Sequence, residues 1–337
     1  SPELQRLLSP LDSVVNDMTL GSKFIKELLT AGIVDERQLI LPFSFNLPVV
    51  VFARNSAPPG IDQFVLTIDE LRRLGGEHIA DNQQSFTHIG FSPLWDINFV
   101  YAIARSYGAG FTISPDGGIV ITDVPLIQAI NVAHDWVVTS HGIKNDQQFV
   151  ESYFHHPLYQ LLLQGRIGFY TTDIADLWLV PQQKRELLDF RWLSLDGRIP
   201  VMDDYKSFVI PTGAANETGA KEFLKWIFES DVQAQLLKKT ISKRLRTFGL
   251  AGGFSGLLSV NERVLPYSHE FLIGRLPPND ILEVTVPAPV FWASAKEQVV
   301  LPWLEDTVIN GRLHHGQADD LIESISDWRR HAQFSQP

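Results

Sequence analysis

Two pairs of adjacent histidines, His155–His156 and His314–His315, are the residues that most suggest a metal site. Adjacent side chains point in different directions on a helix or a strand, so neither pair forms a chelate by itself. The sequence contains no cysteine, which excludes thiolate metal sites, disulfides and cysteine nucleophiles. We therefore predict that the protein holds no metal and needs no cofactor.

The sequence also lacks the motifs of common enzyme classes, such as a G-x-S-x-G elbow or an H-E-x-x-H helix. The glycine-rich run at residues 249–256 matches neither the dinucleotide-binding nor the P-loop pattern, and we interpret it as a turn where backbones pass closely. The adjacent carboxylates Asp203 and Asp204 fit a solvated turn. Catalytic groups need not be adjacent in sequence, but nothing favours an enzyme, so we predict that the protein is not one.

Aromatic residues beside polar ones carry a stronger signal, because the chain has 8 Trp and 21 Phe. Phe45 precedes Asn46, for example, and Trp95 precedes Asp96. An aromatic ring next to hydrogen-bonding groups suits a sugar, whose C–H face stacks while its hydroxyls bind carboxylates and amides. Each ring taken alone also fits an ordinary core position, so the hypothesis of a sugar site depends on the set.

Composition limits the class of protein. The net charge of −11 argues against nucleic-acid binding, and we interpret the basic cluster KKTISKRLR at 238–246 as a solvated helix face. The sequence contains no apolar run of 18 residues, so it predicts no transmembrane helix. A chain of 337 residues exceeds the size at which one core usually suffices, so we expect two lobes.

The pattern of elements predicts an α/β protein with mainly parallel sheets, because strand-like and helix-like runs alternate. In the segment LILPFSFNLPVVVFAR, residues 39–54, Pro42 and Pro48 argue against one continuous strand. We predict that LIL ends one strand, that VVVFA begins another, and that the residues between them cross from one lobe to the other. Thr67 and Glu70 predict a capping box for a helix that stops at Gly75.

The order and spacing of several segments resemble those of the extracellular solute-binding proteins of ABC transporters, in the sugar-binding group that includes maltose-binding protein. The segments that carry this resemblance are LILPFSFNLPVVVFAR, LTIDELRRL, GRIGFYTTDIADLW and ANETGAKEFLKWIFESDVQAQLL. The resemblance implies a two-lobed, periplasmic-binding-protein-like α/β fold, in which the chain crosses between lobes and a ligand cleft lies between them.

The resemblance also implies where the lobes divide. It places crossings near residues 45–48, 207–211 and 284–290. The first lobe then comprises 1–45 and 208–285, and the second 46–207 and 286–337. Family members begin with a strand–helix–strand unit before the first matching segment, so we expect that this N-terminal unit is missing from the chain.

Matched positions in the resemblance imply a set of ligand contacts. These are Phe45, Asn46, Trp95, Asp96, Asn98, Thr172, Asp173, Asp176, Trp178, Phe291 and Trp292. The implied function is capture of a sugar or oligosaccharide and its delivery to the permease subunits of an ABC importer.

Alternatives are a cationic solute bound by Asp96, Asp173 and Asp176, or a surface adhesin or scaffold that has lost transport. We expect a monomer in the periplasm or another extracytoplasmic location, and a lipid anchor in the missing portion is an open alternative.

Overall fold

A computed structural model describes residues 6–58, 62, 64–77, 80–81, 86–113, 119–284, 291–311 and 318–334. The strands are β1 Ile33–Val34, β2 Arg37–Gln38, β3 Leu41–Phe45, β4 Pro48–Ala53, β5 Val65–Thr67, β6 Ala80–Asp81, β7 Phe86–His88, β8 Phe111–Ile113, β9 Ile119–Ile121, β10 Tyr170–Asp173, β11 Leu188–Ser194, β12 Ile199–Pro200, β13 Lys206–Phe208, β14 Phe254–Ser255 and β15 Leu282–Glu283.

The α-helices of the described residues surround these strands. They span Asp12–Asp17, Leu20–Lys23, Lys26–Ala31, Ile68–Glu77, Ile97–Ser106, Asp123–Ser140, Ile143–Tyr153, Leu158–Leu163, Ile174–Leu179, Gln182–Arg185, Glu217–Ile227, Ser230–Ser242, Leu258–Arg263, Leu265–Ser268, Trp292–Ala295, Leu301–Asn310 and Asp319–Phe334. A π-helical turn spans Lys296–Val300. Within the described ranges, no helix combines the length and the apolar character that a membrane span requires.

The largest sheet has the strand order β10-β4-β11-β5 and is buried on both faces. Alternate residues of β4 enter different cores: Val49 and Val51 join one, and Val50 and Phe52 join the other. Because both faces are covered, β4 is apolar along its whole length. This strand therefore has the most constrained position in the sheet.

A second sheet has the strand order β13-β3-β14. Its central strand β3 comes from the first half of the segment 39–54, whereas β4 comes from the second half. The prediction that this segment forms two strands is confirmed, but the connection is shorter than predicted. β3 continues through Phe45 and β4 begins at Pro48, so only Asn46 and Leu47 lie between them. Pro42 is tolerated inside β3 because the ladder is irregular there, where the pairing with β13 shifts between Lys206 and Ser207.

The expectation of mainly parallel sheets is wrong. β4 runs antiparallel to both β10 and β11, and β3 runs antiparallel to β13 and β14. Parallel pairing occurs between β11 and β5 and between β12 and β15. Hydrophobic pattern reports how deeply a strand is buried, whereas strand direction depends on connections between residues far apart in sequence.

Two local predictions are confirmed in part. Thr67 and Glu70 form the capping box, with the Glu70 N–H donating to Thr67 Oγ1 at 3.3 Å and the Thr67 N–H donating to Glu70 Oε2 at 2.9 Å. The helix continues past Gly75 to Glu77. On the helix Glu217–Ile227, the helical spacing of Phe223, Leu224 and Ile227 predicts one buried face. Leu224 and Ile227 are buried, but the prediction is wrong at Phe223, which is 47% exposed.

The glycine-rich run brings backbones into close contact, as predicted. Gly253 lies against β3, so a methyl group there would meet the Phe45 carbonyl oxygen and come within 2.6 Å of Ser44 Oγ. A methyl group on Gly256 would meet the Phe24 ring and come within 2.6 Å of the Pro42 carbonyl oxygen. These glycines let β14 and the loop that follows approach β3.

Replacing Gly253 with Ala should destabilise the fold, because the new methyl group would push β14 away from β3. We expect the free energy of unfolding to fall by about 2 to 3 kcal/mol in urea denaturation. Gly21→Ala is the control, since that helical glycine faces open space and alanine favours a helix. Equal stability of both variants would contradict the close approach.

Candidate functional site

A cleft of about 250 Å³ opens where β4 begins and β10 ends. Pro48 and Met202 line it next to the two-residue connection between the sheets. The cleft brings together six of the residues predicted to bind ligand: Trp95, Asp96, Asn98, Thr172, Asp173 and Asp176. These residues come from two stretches of sequence more than seventy positions apart.

Strand pairing and helix capping bring those two stretches together. Asp173 pairs with Pro48 at the end of the β10–β4 ladder. It then caps the helix Ile174–Leu179, where its Oδ1 accepts a hydrogen bond from the Asp176 N–H at 2.8 Å. The N-terminus of this helix therefore lies at the cleft, where it meets the N-terminus of a second helix that is also capped by an aspartate.

The second of these helices is Ile97–Ser106, and its cap is Asp96. Asp96 Oδ1 accepts from the Asn98 N–H at 3.1 Å. The other oxygen, Oδ2, accepts from Thr171 Oγ1 at 2.8 Å. This last bond joins the helix directly to β10, so the two stretches hold one another in place.

The cleft is electrostatically negative. Burial raises the pKa of Asp96, and the hydrogen bonds from Thr171 and Asn98 oppose this shift. Burial also raises the pKa of Asp176, and the nearby charges of Asp173 and Asp204 act in the same direction. Among the described residues, no lysine or arginine lines this cleft. The arrangement suits hydroxyl donors or a cation.

Trp95 supplies the aromatic wall of the cleft. Its ring stacks on Phe149 at a centroid distance of 5.8 Å and meets Phe154 edge-on. Its indole Nε1 is buried, and no described residue forms a hydrogen bond with it. The ring therefore belongs partly to the core, and its orientation is fixed by packing.

Phe45 and Asn46 lie beside the cleft but do not line it. Phe45 is buried because β3 is the central strand of its sheet, and its ring packs on Phe254. Asn46 Oδ1 accepts from the Leu47 N–H at 3.0 Å. The Asn46 carbonyl accepts from the N–H of Met202, which does line the cleft. Asn46 thus supports the cleft wall through its backbone.

Three other predicted residues lie away from this cleft. Trp178 lines a separate cavity and stacks on Arg185. Trp292 is buried, with its ring 4.3 Å from that of Phe111. Phe291 packs on the side of Trp328. The side-chain directions of these residues follow from packing that the spacing of the sequence did not indicate.

A buried polar network that the sequence did not predict holds the loop after Met202. The predicted turn at Asp203 and Asp204 is solvated at Asp204 but not at Asp203, which accepts from Tyr101 Oη at 3.0 Å and from Lys296 Nζ at 2.6 Å. Trp292 Nε1 donates to Tyr101 Oη at 3.3 Å. Lys296 is only 7% exposed. Its ion pair with Asp203 joins residues 93 positions apart, and no local pattern signals such a pair.

Replacing Lys296 with Met should leave the Asp203 carboxylate without its cation. We expect a loss of about 3 kcal/mol in the free energy of unfolding, because a half-buried charge then has no partner. Lys206→Met is the matched control, since Lys206 pairs with Asp204 at the surface, where both side chains are more than half exposed. That variant should change stability by less than about 0.5 kcal/mol. Similar losses in both variants would refute the distinction.

His269, next to Trp178, is another buried titratable group. Its Nε2 accepts from the Gly249 N–H at 3.3 Å, and its ring lies 4.5 Å from that of Trp178. Burial lowers the pKa of His269 to about 4 from its usual 6.5. The folded protein therefore holds this imidazole neutral over a pH range in which the unfolded chain binds a proton.

This shift predicts a loss of stability in acid. As pH falls from 6.5 to about 4, the unfolded chain gains a proton that the folded His269 does not take up. The free energy of unfolding should therefore drop by about 3 kcal/mol over that window. His269→Gln should show a shallower dependence in urea denaturation measured at several pH values. Parallel curves for the two proteins would contradict the assignment.

We compared the chain with family models, with curated proteins and with solved structures. No family model matches the chain, and no curated protein shows significant sequence similarity to it. Solved structures do match. The sugar-binding protein MalE from Xanthomonas citri superposes with a TM-score of 0.63 over 99% of this chain and 83% of its own, at 13% identity.

Two further solved structures have the same fold. The cyclic alpha-maltosyl-1,6-maltose binding protein from Arthrobacter globiformis has a TM-score of 0.58 at 16% identity and covers 95% of this chain and 78% of its own. A cyclo/maltodextrin-binding protein complexed with maltotetraose has a TM-score of 0.59 at 13% identity, covering 96% and 78%. The chain therefore has a two-lobed α/β binding-protein fold, as predicted. The solved structures that share this fold include a protein described as the sugar-binding protein MalE and one described as an ABC substrate-binding protein in complex with cycloalternan.

Proposed function

We propose that this protein is the solute-binding component of an ABC importer and holds a sugar or oligosaccharide in the cleft beside Pro48. The observation that carries the proposal is the meeting of Trp95, Asp96 and Asp173 in one cleft on this fold. Structures with the same fold include proteins described as sugar-binding. Delivery to a permease, without catalysis and outside the cytoplasm, completes the proposed role.

The proposal includes two lobes with the boundaries given by the sequence. β3, β13 and β14 form one sheet, and β4, β5, β10 and β11 form another. The chain passes from β3 to β4 within residues 45–48. It passes from β11 to β13 between residues 194 and 206, just before the expected crossing at 207–211. The third crossing, near 284–290, lies almost wholly outside the described residues. Closure of one lobe on the other would bury a ligand at the Pro48 end of the cleft.

The chemistry of the cleft suits a neutral sugar. The carboxylates of Asp173 and Asp176 accept hydrogen bonds from hydroxyl groups, and the ring of Trp95 offers apolar contact. The buried Nε1 of Trp95 is a donor without an acceptor among the described residues. These groups would recognise a polyhydroxylated ligand without a metal.

A cationic solute is the second candidate, and the charge of the cleft favours it. Asp96, Asp173 and Asp176 line it, and among the described residues no basic side chain balances them. A cation would lower the raised pKa of Asp176 by favouring its charged form.

Asp173→Asn separates the two candidates. Asparagine caps a helix as well as aspartate does, so the helix Ile174–Leu179 should stay in place. We expect the affinity for a neutral oligosaccharide, with maltotetraose as the first probe, to weaken by about tenfold. Binding of a cation such as spermidine should weaken about a hundredfold or more. Isothermal titration calorimetry and tryptophan fluorescence measure both.

The control is Asp231→Asn, which removes one exposed carboxylate from the first turn of the helix Ser230–Ser242, away from the cleft. It should bind as the unaltered protein does. If the unaltered protein binds no member of a panel of mono- and oligosaccharides, the sugar proposal fails. If it binds spermidine instead, the cationic alternative replaces it.

A further inference from the structure

A second cavity, of about 380 Å³, lies outside the proposed sugar cleft and has the opposite electrostatic character. One wall consists of residues 178–185, which follow β10. The other consists of the end of the helix Ser230–Ser242 and the loop to Gly249. Arg246 joins the two walls, because its Nη2 donates to the Leu179 carbonyl at 3.2 Å. A cavity of this size fits a small organic molecule.

Three arginines and no carboxylate line this cavity among the described residues: Arg185, Arg244 and Arg246. Arg185 lies over the Trp178 ring at 3.9 Å and donates to the Val180 carbonyl at 3.1 Å, so its position is fixed. Glu186, which does not line the cavity, is the acidic group that acts on Arg185. The lining therefore carries a local excess of positive charge in a chain whose net charge is −11.

The basic cluster is therefore more than a solvated helix face. Arg244 and Arg246 are exposed at the cavity, and no described residue forms a hydrogen bond or ion pair with the guanidinium of Arg244. Arg244 also has a left-handed backbone, with φ at 55°, which a non-glycine residue adopts at a cost. Two arginine side chains thus line one opening.

The rest of the lining combines apolar side chains with the polar residues Gln182, Thr240, Thr247, Ser268 and His269. Leu179, Ile241 and Leu245 are 43%, 52% and 56% exposed at the rim, although leucine and isoleucine are usually buried. Trp178 and His269 lie deeper. The Nδ1 atom of His269 is buried and has no hydrogen-bond partner among the described residues, which leaves a polar atom unpaired in the cavity lining.

We propose that this cavity binds an amphiphilic organic anion, a carboxylate or phosphate on an apolar body of roughly eight carbon atoms. The arginines Arg244 and Arg246 would pair with the anionic head. The side chains of Leu179, Ile241 and Leu245 would cover the apolar body. This site shares no lining residue with the proposed sugar cleft, so its ligand does not depend on the sugar proposal.

Calorimetric titration with octanoate and phenyl phosphate tests the proposal, with octanol as a neutral analogue of octanoate. We expect at least one of the two anions to bind at one site per chain, and octanol to bind at least tenfold more weakly than octanoate. The double variant Arg244→Gln, Arg246→Gln should weaken anion binding at least tenfold. Failure of both anions to bind, or equal binding of octanol and octanoate, would overturn the proposal.

The double variant Lys238→Gln, Lys239→Gln is the matched control. It removes the same charge from exposed residues of the adjoining helix that do not line the cavity. Its anion affinity should stay within twofold of that of the unaltered protein. A loss as large as that of the arginine variant would show that the net charge of the protein, and not this cavity, attracts the anion. Asp173→Asn should leave anion binding unchanged, which separates this site from the sugar cleft.

A second measurement reports directly on the cavity. A bound anion should raise the pKa of His269, followed by NMR of its imidazole, because a nearby negative charge favours the imidazolium form. Arg185, the charged group that acts on this ring, is present in every variant. An unchanged His269 titration at saturating phenyl phosphate, which stays negatively charged near pH 4, would place the anion elsewhere and contradict the assignment.

Discussion

The connection of two residues, Asn46 and Leu47, constrains most of the architecture described above. The strand before it belongs to one sheet and the strand after it to another, so the chain must change sheets within that distance. Both residues are nearly inaccessible to solvent, and their backbone groups cannot rely on water. The Asn46 carbonyl accepts from the Met202 N–H, and the Leu47 carbonyl accepts from the Ile174 N–H.

Those two hydrogen bonds explain why the candidate cleft forms at this point. Ile174 directly follows Asp173, and Met202 directly precedes Asp203. The connection therefore fixes the start of one helix and the loop of the buried polar network together. The hydrogen bond from Thr171 to Asp96 then adds the second helix. Carboxylates from distant parts of the chain meet because backbone pairing leaves their positions little freedom.

Part of this arrangement was readable from the sequence. Two prolines in an apolar run indicated a change of direction, and the capping box at Thr67 and Glu70 has a short, specific spacing. The order of segments indicated the fold. The partnership of Asp203 with Lys296 was not readable, because each residue alone resembles a surface charge. Trp178 was misplaced for a related reason: its position along the chain was close to the site, but its side chain turns toward Arg185 and His269.

The central claim is that the cleft beside the connection is where the solute binds. Hydrogen-exchange mass spectrometry with and without saturating maltotetraose tests it most directly, because exchange reports on each segment separately. The account predicts slower exchange in residues 95–98 and 171–176, with little change in 238–249. Measured binding with protection confined to other segments, or with no protection in 171–176, would contradict it.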